Sequence, residues 1–283
     1  MAGVHVVTDS AAALPRGVVQ DLAITVVAET VVLDGKAFHA GGNLGDPAYF
    51  TALRAAAGPA GVAPLAAADF ADAYRRVLAW GVEVVSLHPP AWLSASASTA
   101  RAAAAALPAG SPVRVVETPW VAAGLGMACI HAARAGQDAT GIDDVLPRLP
   151  EPGAPMAVVM VCGDLDYARR QGRLPIGGPA GHGAPTHAVF ELGAGTFAPI
   201  GPPSDVATAL RGLVERVARA AGAGALHIGV WSADADAEAA AVATFLESRH
   251  APVELWVAPA DPHLGVIGGP GSFGVAVYTA PEG

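Results

Sequence analysis

The stretch VVSLHPPAWLSASASTA, residues 84–100, contains the strand, loop and helix that decide the fold. Residues 82–88 are predicted to form a buried strand, 89–96 a loop at its end, and 93–107 the next helix. The same strand-then-helix order recurs along the first half of the chain. It predicts a mostly parallel sheet covered on both faces, with ligands bound at the loops that follow the carboxyl ends of the strands.

Further elements of this predicted sheet lie on both sides of that stretch. Apolar runs predict strands at 4–8, 24–27, 30–33, 36–39 and 113–116, and Asp34-Gly35 is typical of a hairpin turn. Helices are expected to start at Asp46-Pro47 and at Asp69, because Asp is a good cap and Pro suits the first helical position. A further helix is predicted over 120–135, ending at Gly136.

The pattern changes near residues 151–155, which are rich in Pro and Gly. Beyond them, strands at 157–162, 187–192, 226–231, 253–257 and 274–278 alternate with fewer helices, predicted at 206–217 behind a Ser204 cap and at 235–246. We therefore expect two domains, residues 1–153 and residues 154–283.

Composition narrows the classes of function. The 283 residues include 16 Lys and Arg against 25 Asp and Glu, a net charge of −9 that disfavours binding to nucleic acid or to anionic membranes. Hydrophobic residues make up 53%, which excludes a disordered chain. The longest uncharged stretches, 84–100 and 118–133, are too short for a transmembrane helix, so no stable membrane insertion is expected. Without a visible signal peptide, the expected location is the cytoplasm.

No metal or nucleotide site is predicted. The two cysteines, Cys129 and Cys162, lie far apart in apolar surroundings, which favours reduced core thiols. The nine histidines show no metal-ligand spacing. Gly269, Gly271 and Gly274 spell G-x-G-x-x-G, but this run precedes a strand and contains Pro270, so it does not fit a dinucleotide loop.

Five segments, in order along nearly the whole chain, resemble the DegV family of bacterial two-domain fatty-acid-binding proteins. They are VTDSAAALP at 7–15, the stretch 84–100, VVETPWVAAGLG at 115–126, DLDYARRQGRL at 164–174 and GGPGSFGVAVY at 268–278. The resemblance implies an α/β/α parallel-sheet domain followed by an α+β domain with a mainly antiparallel sheet. It also implies an acyl chain buried in the first domain, with its carboxylate at the domain interface. A separate fatty acid kinase would act on the presented lipid, and this chain would perform no chemistry.

The resemblance also gives the candidate head-group site. Ser94, Ser96 and Arg173 stand at polar positions of the family motifs, and Gly269 and Gly271 would let the backbone approach the head group. Arg can donate two parallel hydrogen bonds to a carboxylate. At three other family positions the polar residue is replaced, by Val62, Ala63 and Ile267, and Trp92 lies in the same loop as Ser94; these four residues are the expected pocket lining.

Three functions stay open at this point. The first is a fatty acid carrier with no cofactor other than its bound long-chain fatty acid or similar apolar ligand. The second is a serine-dependent acyl ester hydrolase that uses Ser94, for which the sequence assigns no base, although His88 lies in the same segment. The third is a regulatory scaffold whose pocket has closed. Asp9 and Ser10 either contact a ligand or cap the element that follows the first strand.

Overall fold

The computed structural model describes residues 3–45, 47–56, 58, 60–150, 156–174, 188–193, 195–200, 212, 215 and 224–280. Its strands are β1 Val4–Asp9, β2 Thr25–Val27, β3 Thr30–Leu33, β4 Lys36–His39, β5 Gly61–Ala63, β6 Glu83–His88, β7 Val113–Glu117, β8 Met156–Cys162, β9 Ala188–Gly193, β10 Thr196–Pro199, β11 Ala225–Ala233, β12 Glu254–Pro259 and β13 Ser272–Ala280. Its α-helices are α1 Arg16–Asp21, α2 Pro47–Ala55, α3 Ala67–Leu78, α4 Ser96–Ala105, α5 Ala122–Asp138, α6 Ile142–Val145, α7 Leu165–Gln171, α8 Asp236–His250 and α9 Pro262–Gly268.

The first sheet is parallel and has the strand order β2-β1-β6-β7. Successive residues of a strand face opposite sides, so each strand contributes to two cores. Val6 and Val85 pack on one face with residues of α5, whereas Val7 and Val84 pack on the other with residues of α3 and α4. The predicted parallel sheet with helices on both faces is therefore confirmed.

The second sheet has six strands in the order β10-β9-β8-β13-β11-β12. All of its neighbouring strands are antiparallel except β11 and β12. This arrangement confirms the expected mainly antiparallel sheet in the second half. The small sheet β4-β3-β5 is antiparallel, and its predicted hairpin turn is confirmed: Asp34 and Gly35 have positive φ angles of 48° and 79°, as the turn requires.

Helix α5 lies between the first and second sheets and is buried on nearly every side. Close approach of the backbones depends on glycine. A Cβ on Gly136 would lie 2.4 Å from the carbonyl oxygen of Val4 in β1, and one on Gly124 would lie 2.9 Å from the Val158 side chain in β8. The two sheets therefore pack onto one shared helix.

Several predicted helix ends differ in the structure. Helix α5 begins at Ala122 rather than at residue 120 and continues past Gly136 to Asp138. Helix α3 begins at Ala67 rather than at Asp69, whose carboxylate accepts the N–H of Ala66 from inside the first turn. Helix α4 begins at Ser96 rather than at residue 93, because Leu93 N–H and Ser94 N–H both donate to the carbonyl of Pro90 and form a turn first. The predicted boundary between residues 153 and 154, the helix over 206–217, its Ser204 cap and the Asp46 cap lie outside the described residues.

Candidate functional site

A buried chain of hydrogen bonds ends at Asp9, where β1 meets a short 3-10 helix at residues 10–12. Asp9 Oδ1 accepts the N–H of Ala11, and Asp9 Oδ2 lies 2.7 Å from His88 Nδ1. His88 Nε2 lies 2.8 Å from Ser86 Oγ, which also accepts a hydrogen bond from the Tyr74 hydroxyl at 2.9 Å. Asp9, Ser86 and His88 have no exposed surface. The carboxylate is therefore held rigidly by its neighbours.

A second buried pair joins the two halves of the chain. Glu29 Oε1, between β2 and β3, lies 2.8 Å from His263 Nε2 in α9, and Ser10 Oγ donates to Glu29 Oε2 at 3.1 Å. Burial disfavours the charged ring, but the hydrogen bond and charge of Glu29, with the charges of Asp261 and Asp9, raise the pKa of His263. Burial also raises the pKa of Glu29, against the hydrogen bond from His263. Each partner therefore favours the charged form of the other, against the cost of burial.

Asp261 starts helix α9 beside that pair. Its Oδ1 accepts the N–H groups of His263 and Leu264 at 2.9 and 3.0 Å, and Pro262 occupies the first helical position. Asp261 Oδ2 has no hydrogen-bond partner among the described residues. Burial raises the pKa of Asp261 to about 7, against the charge of His263 and the N–H of Leu264.

Three of these residues, Asp9, Ser10 and Asp261, border a cleft of about 820 Å³. Its walls come from both halves of the chain: the 3-10 helix and α1, β2, the start of α2 with the loop before it, the ends of β11 and β12, and the start of α9. Most of the lining is small and apolar, including Ala12, Ala13, Val26, Ala28, Val257 and Ala258. Asp9, Ser10 and Asp261 form part of its polar wall, and Arg16 is the one cation among the described lining residues. Volume and lining are typical of a site for an apolar ligand.

Comparisons with known proteins identify the family. The DegV family model, whose description reads "Uncharacterised protein, DegV family", matches residues 3–280. The chain belongs to the DegV family. A DegV domain-containing protein of Streptomyces coelicolor is 30% identical over 277 residues, which cover 97% of this chain and 98% of that protein. The resemblance found in the sequence is thus confirmed.

Solved DegV structures share the fold. A protein of Thermus thermophilus, described by its fatty acid binding, has a TM-score of 0.80 at 24% identity and covers 98% of this chain and 100% of its own. A stearic-acid-binding protein of Eubacterium ventriosum has a TM-score of 0.82 at 17% identity, with 99% and 98% covered. At these identities the likeness shows the DegV fold, and the ligands are those of the two relatives.

The serines predicted from the DegV motifs lie outside the cleft wall. Ser94 Oγ donates to Ser96 Oγ at 3.2 Å and accepts the N–H of Ser96 at 3.3 Å, so the two serines form a local pair at the start of α4. Trp92, 37% exposed, contacts the edge of the Phe197 ring at a centroid distance of 5.5 Å. This loop therefore packs against the second sheet.

The remaining predicted residues surround α7 and α9. Arg173 is exposed just after α7, and the Cβ of any side chain at Gly269 would overlap the Tyr167 ring at 2.3 Å. Gly271 N–H donates to the carbonyl of Ala233 at 2.7 Å. Neither glycine lines the cleft.

Helix α9 separates the predicted lining residues from the cleft. Val62 and Ala63 are half-buried in β5, which packs against α9, and Ile267 is buried in the core. Ile267 lies two positions after Gly265, which lines the cleft, and residues two apart on a helix point to nearly opposite sides. Val62, Ala63 and Ile267 therefore lie in or against α9 and outside the cleft lining, whereas Trp92 lies apart from them against Phe197.

Of the residues that border the cleft, Asp9 and Ser10 are candidates in the sequence, whereas Arg16 and Asp261 are not. The hypothesis that His88 is a base for Ser94 gains no support, because Asp9 and Ser86 engage both ring nitrogens of His88. Asp261-Pro262 is the same helix-start signal as Asp46-Pro47 and could have revealed α9. Within the part of the chain that the structure describes, no group of His, Cys, Asp and Glu could hold a metal ion, and no helix is long and apolar enough to cross a membrane.

Proposed function

We propose that this DegV protein binds a long-chain fatty acid or a closely related acyl lipid in the cleft, and that it carries the lipid rather than transforming it. The observation that carries the proposal is the cleft of about 820 Å³ with its small apolar lining. Each buried CH₂ of a ligand contributes about 0.8 kcal/mol. Membership of the DegV family, in which solved relatives are described as fatty acid binding, supports the ligand class.

We also propose a partner and a cellular location for this protein. A separate kinase would receive the presented lipid, as the family resemblance implies. A cytoplasmic location agrees with the two buried free thiols, since reducing compartments keep such thiols unpaired. The hydrolase alternative gains no support at His88, whose nitrogens are bonded elsewhere, and the closed-pocket alternative disagrees with the open cleft.

Filling the cleft tests the position of the lipid. Ala28 is exposed and lines the cleft, whereas Ala37 is exposed on β4 and does not. Ala28→Trp places an indole where the acyl chain would lie, so we expect it to weaken binding of a fluorescent fatty acid at least tenfold. The matched Ala37→Trp variant should bind as the parent does. Equal binding by the parent and Ala28→Trp would place the lipid elsewhere.

The carboxylate of the lipid has two candidate partners. Arg16 lines the cleft, is exposed, and makes no ion pair with any described residue. Arg173, with Ser94, Ser96, Gly269 and Gly271, is the head-group set that the resemblance implies. Because Arg16 borders the apolar walls, we propose it as the partner and keep the Arg173 set as the alternative.

Single replacements of the two arginines decide between them. Arg16→Ala should weaken stearic acid binding several-fold without abolishing it, because the buried acyl chain supplies most of the free energy. Arg173→Ala should leave the affinity unchanged. Titration of both variants with stearic acid measures the effect, and a loss at Arg173 alone would move the head group to the side of α9 away from the cleft.

A further inference from the structure

Helix α2 forms one wall of the cleft and packs with residues from both halves of the chain. Pro47, Tyr49 and Phe50, near its start, line the cleft. Phe50 also belongs to an apolar cluster that contains Phe38 of β4 and Val266 of α9. The side chains of α2 therefore connect the small sheet to the second half across the cleft.

The chain that leads into α2 is rich in glycine. Gly41, Gly42 and Gly45 all line the cleft, and Gly41 has a φ angle of 72°. A Cβ built on Gly41 or on Gly45 would meet no heavy atom beyond the chain neighbours within 4 Å, so the backbone there borders open space. Loop residues without side chains absorb large changes of φ and ψ at low cost. These three glycines give the chain before α2 the freedom that a hinge needs.

The far end of α2 is tied to the second half by an ion pair. Arg54, the only charged residue of α2, donates to the carboxylate of Asp234, which lies between β11 and α8. Asp234 lines the cleft, and both side chains are partly exposed. Ser232 fixes this connection, because its hydroxyl accepts the N–H of Ala235 at 3.0 Å and donates to Asp236 at 2.7 Å. The ion pair thus joins the end of α2 to a fixed point of the second half.

We propose that α2 is a lid over the bound lipid and that the ion pair between Arg54 and Asp234 latches this lid shut. Exposed ion pairs contribute little free energy, so the latch can break and re-form each time a lipid enters or leaves. When it breaks, α2 moves away from the second half on the glycine hinge and uncovers the acyl chain. The apolar contacts of Phe50 favour closing again. This inference rests on the proposed function and adds the control of access to its site.

The rate at which bound lipid leaves tests the latch. We would load the full chain with a fluorescent fatty acid, add excess stearic acid and follow the release by stopped-flow fluorescence. Arg54→Gln should release the fluorescent lipid about threefold faster than the parent, which is the effect that loss of an exposed ion pair allows. Asp234→Asn should act alike, and Asn tolerates the positive φ of 59° at this position. The double variant should be no faster than either single variant, since both remove the same contact.

Arg101→Gln is the matched control. It removes a similarly exposed ion pair, with Glu117, outside the cleft, and should release the lipid at the parental rate. Release at the parental rate from Arg54→Gln, or effects of the two replacements that add in the double variant, would overturn the latch and leave the proposed function in place. A parent that takes up neither the fluorescent fatty acid nor stearic acid would overturn the proposed function and, with it, the latch.

Discussion

His263→Leu is expected to lower the free energy of unfolding by about 3–5 kcal/mol at neutral pH, since it removes one partner of a buried ion pair. Glu29 is 2% exposed and would remain as an unpaired carboxylate, with the charge of Asp9 nearby. Urea unfolding of parent and variant gives the difference directly. Because the pair joins α9 to the β2–β3 connection, the loss would also show how strongly the two halves of the cleft are held together.

The loss of stability in His263→Leu should depend on pH. The pKa of His263 is raised, so its contribution is complete below the unfolded value of about 6.5 and is lost as pH rises through the raised value. The parent and His263→Leu should therefore differ less at about pH 9 than at about pH 6.

Glu29→Gln in the same chain provides the internal control for this effect. It removes the buried charge, so the double variant should recover much of the lost stability. His39→Leu, at an exposed histidine, should cost little. A His263→Leu protein as stable as the parent at neutral pH, or one that Glu29→Gln does not rescue, would show that the pair contributes no such stabilisation.

His88→Leu is expected to have an effect of similar size, about 3–5 kcal/mol. The substitution leaves Asp9 as a fully buried carboxylate without its partner and deprives Ser86 of one hydrogen bond. Asp9 also caps the 3-10 helix that forms one wall of the cleft, so the damage should extend to lipid affinity. Urea unfolding and lipid titration on the same preparation measure both consequences.

Two further variants separate the lost ion pair from lost packing. Asp9→Asn combined with His88→Leu removes the buried charge and keeps the cap, so it should recover part of the stability. His131→Leu replaces a half-buried histidine whose Nε2 has no hydrogen-bond partner in the described part of the chain, and it should lower the free energy of unfolding by about 1 kcal/mol or less. If His131→Leu lowers the free energy of unfolding as much as His88→Leu does, the hydrogen bond between His88 and Asp9 does not supply the expected stabilisation.

The order of strands and helices was predictable because it depends on local patterns. Apolar runs predicted the four strands of the first sheet and five of the six strands of the second, all but β10, and Asp34-Gly35 predicted the hairpin turn. Strands β1 and β6 are parallel neighbours and end at the same edge of the sheet, where Thr8 lies opposite Leu87. Polar residues at two such ends, Asp9 and His88, could therefore have been expected to meet.

The cleft was not predictable in the same way. Glu29 and His263 are 234 residues apart, and only the packing of the second sheet against α5 brings them together. Tyr49 and Asp261 lie at the starts of two different helices. The sequence pattern at one helix start does not predict that it lies near the other. The family resemblance points to Ser94 and Arg173 as head-group residues. The Arg16→Ala and Arg173→Ala variants test where the head group of the lipid lies.

The most direct test of lipid binding is mass spectrometry of small molecules released from the purified, denatured protein, with a mock purification from the same host as blank. We expect about one acyl lipid per chain from the parent and from Ala37→Trp, and far less from Ala28→Trp. A parent protein that releases no acyl lipid, and takes up none when stearic acid is supplied, would contradict the claim that the cleft carries one.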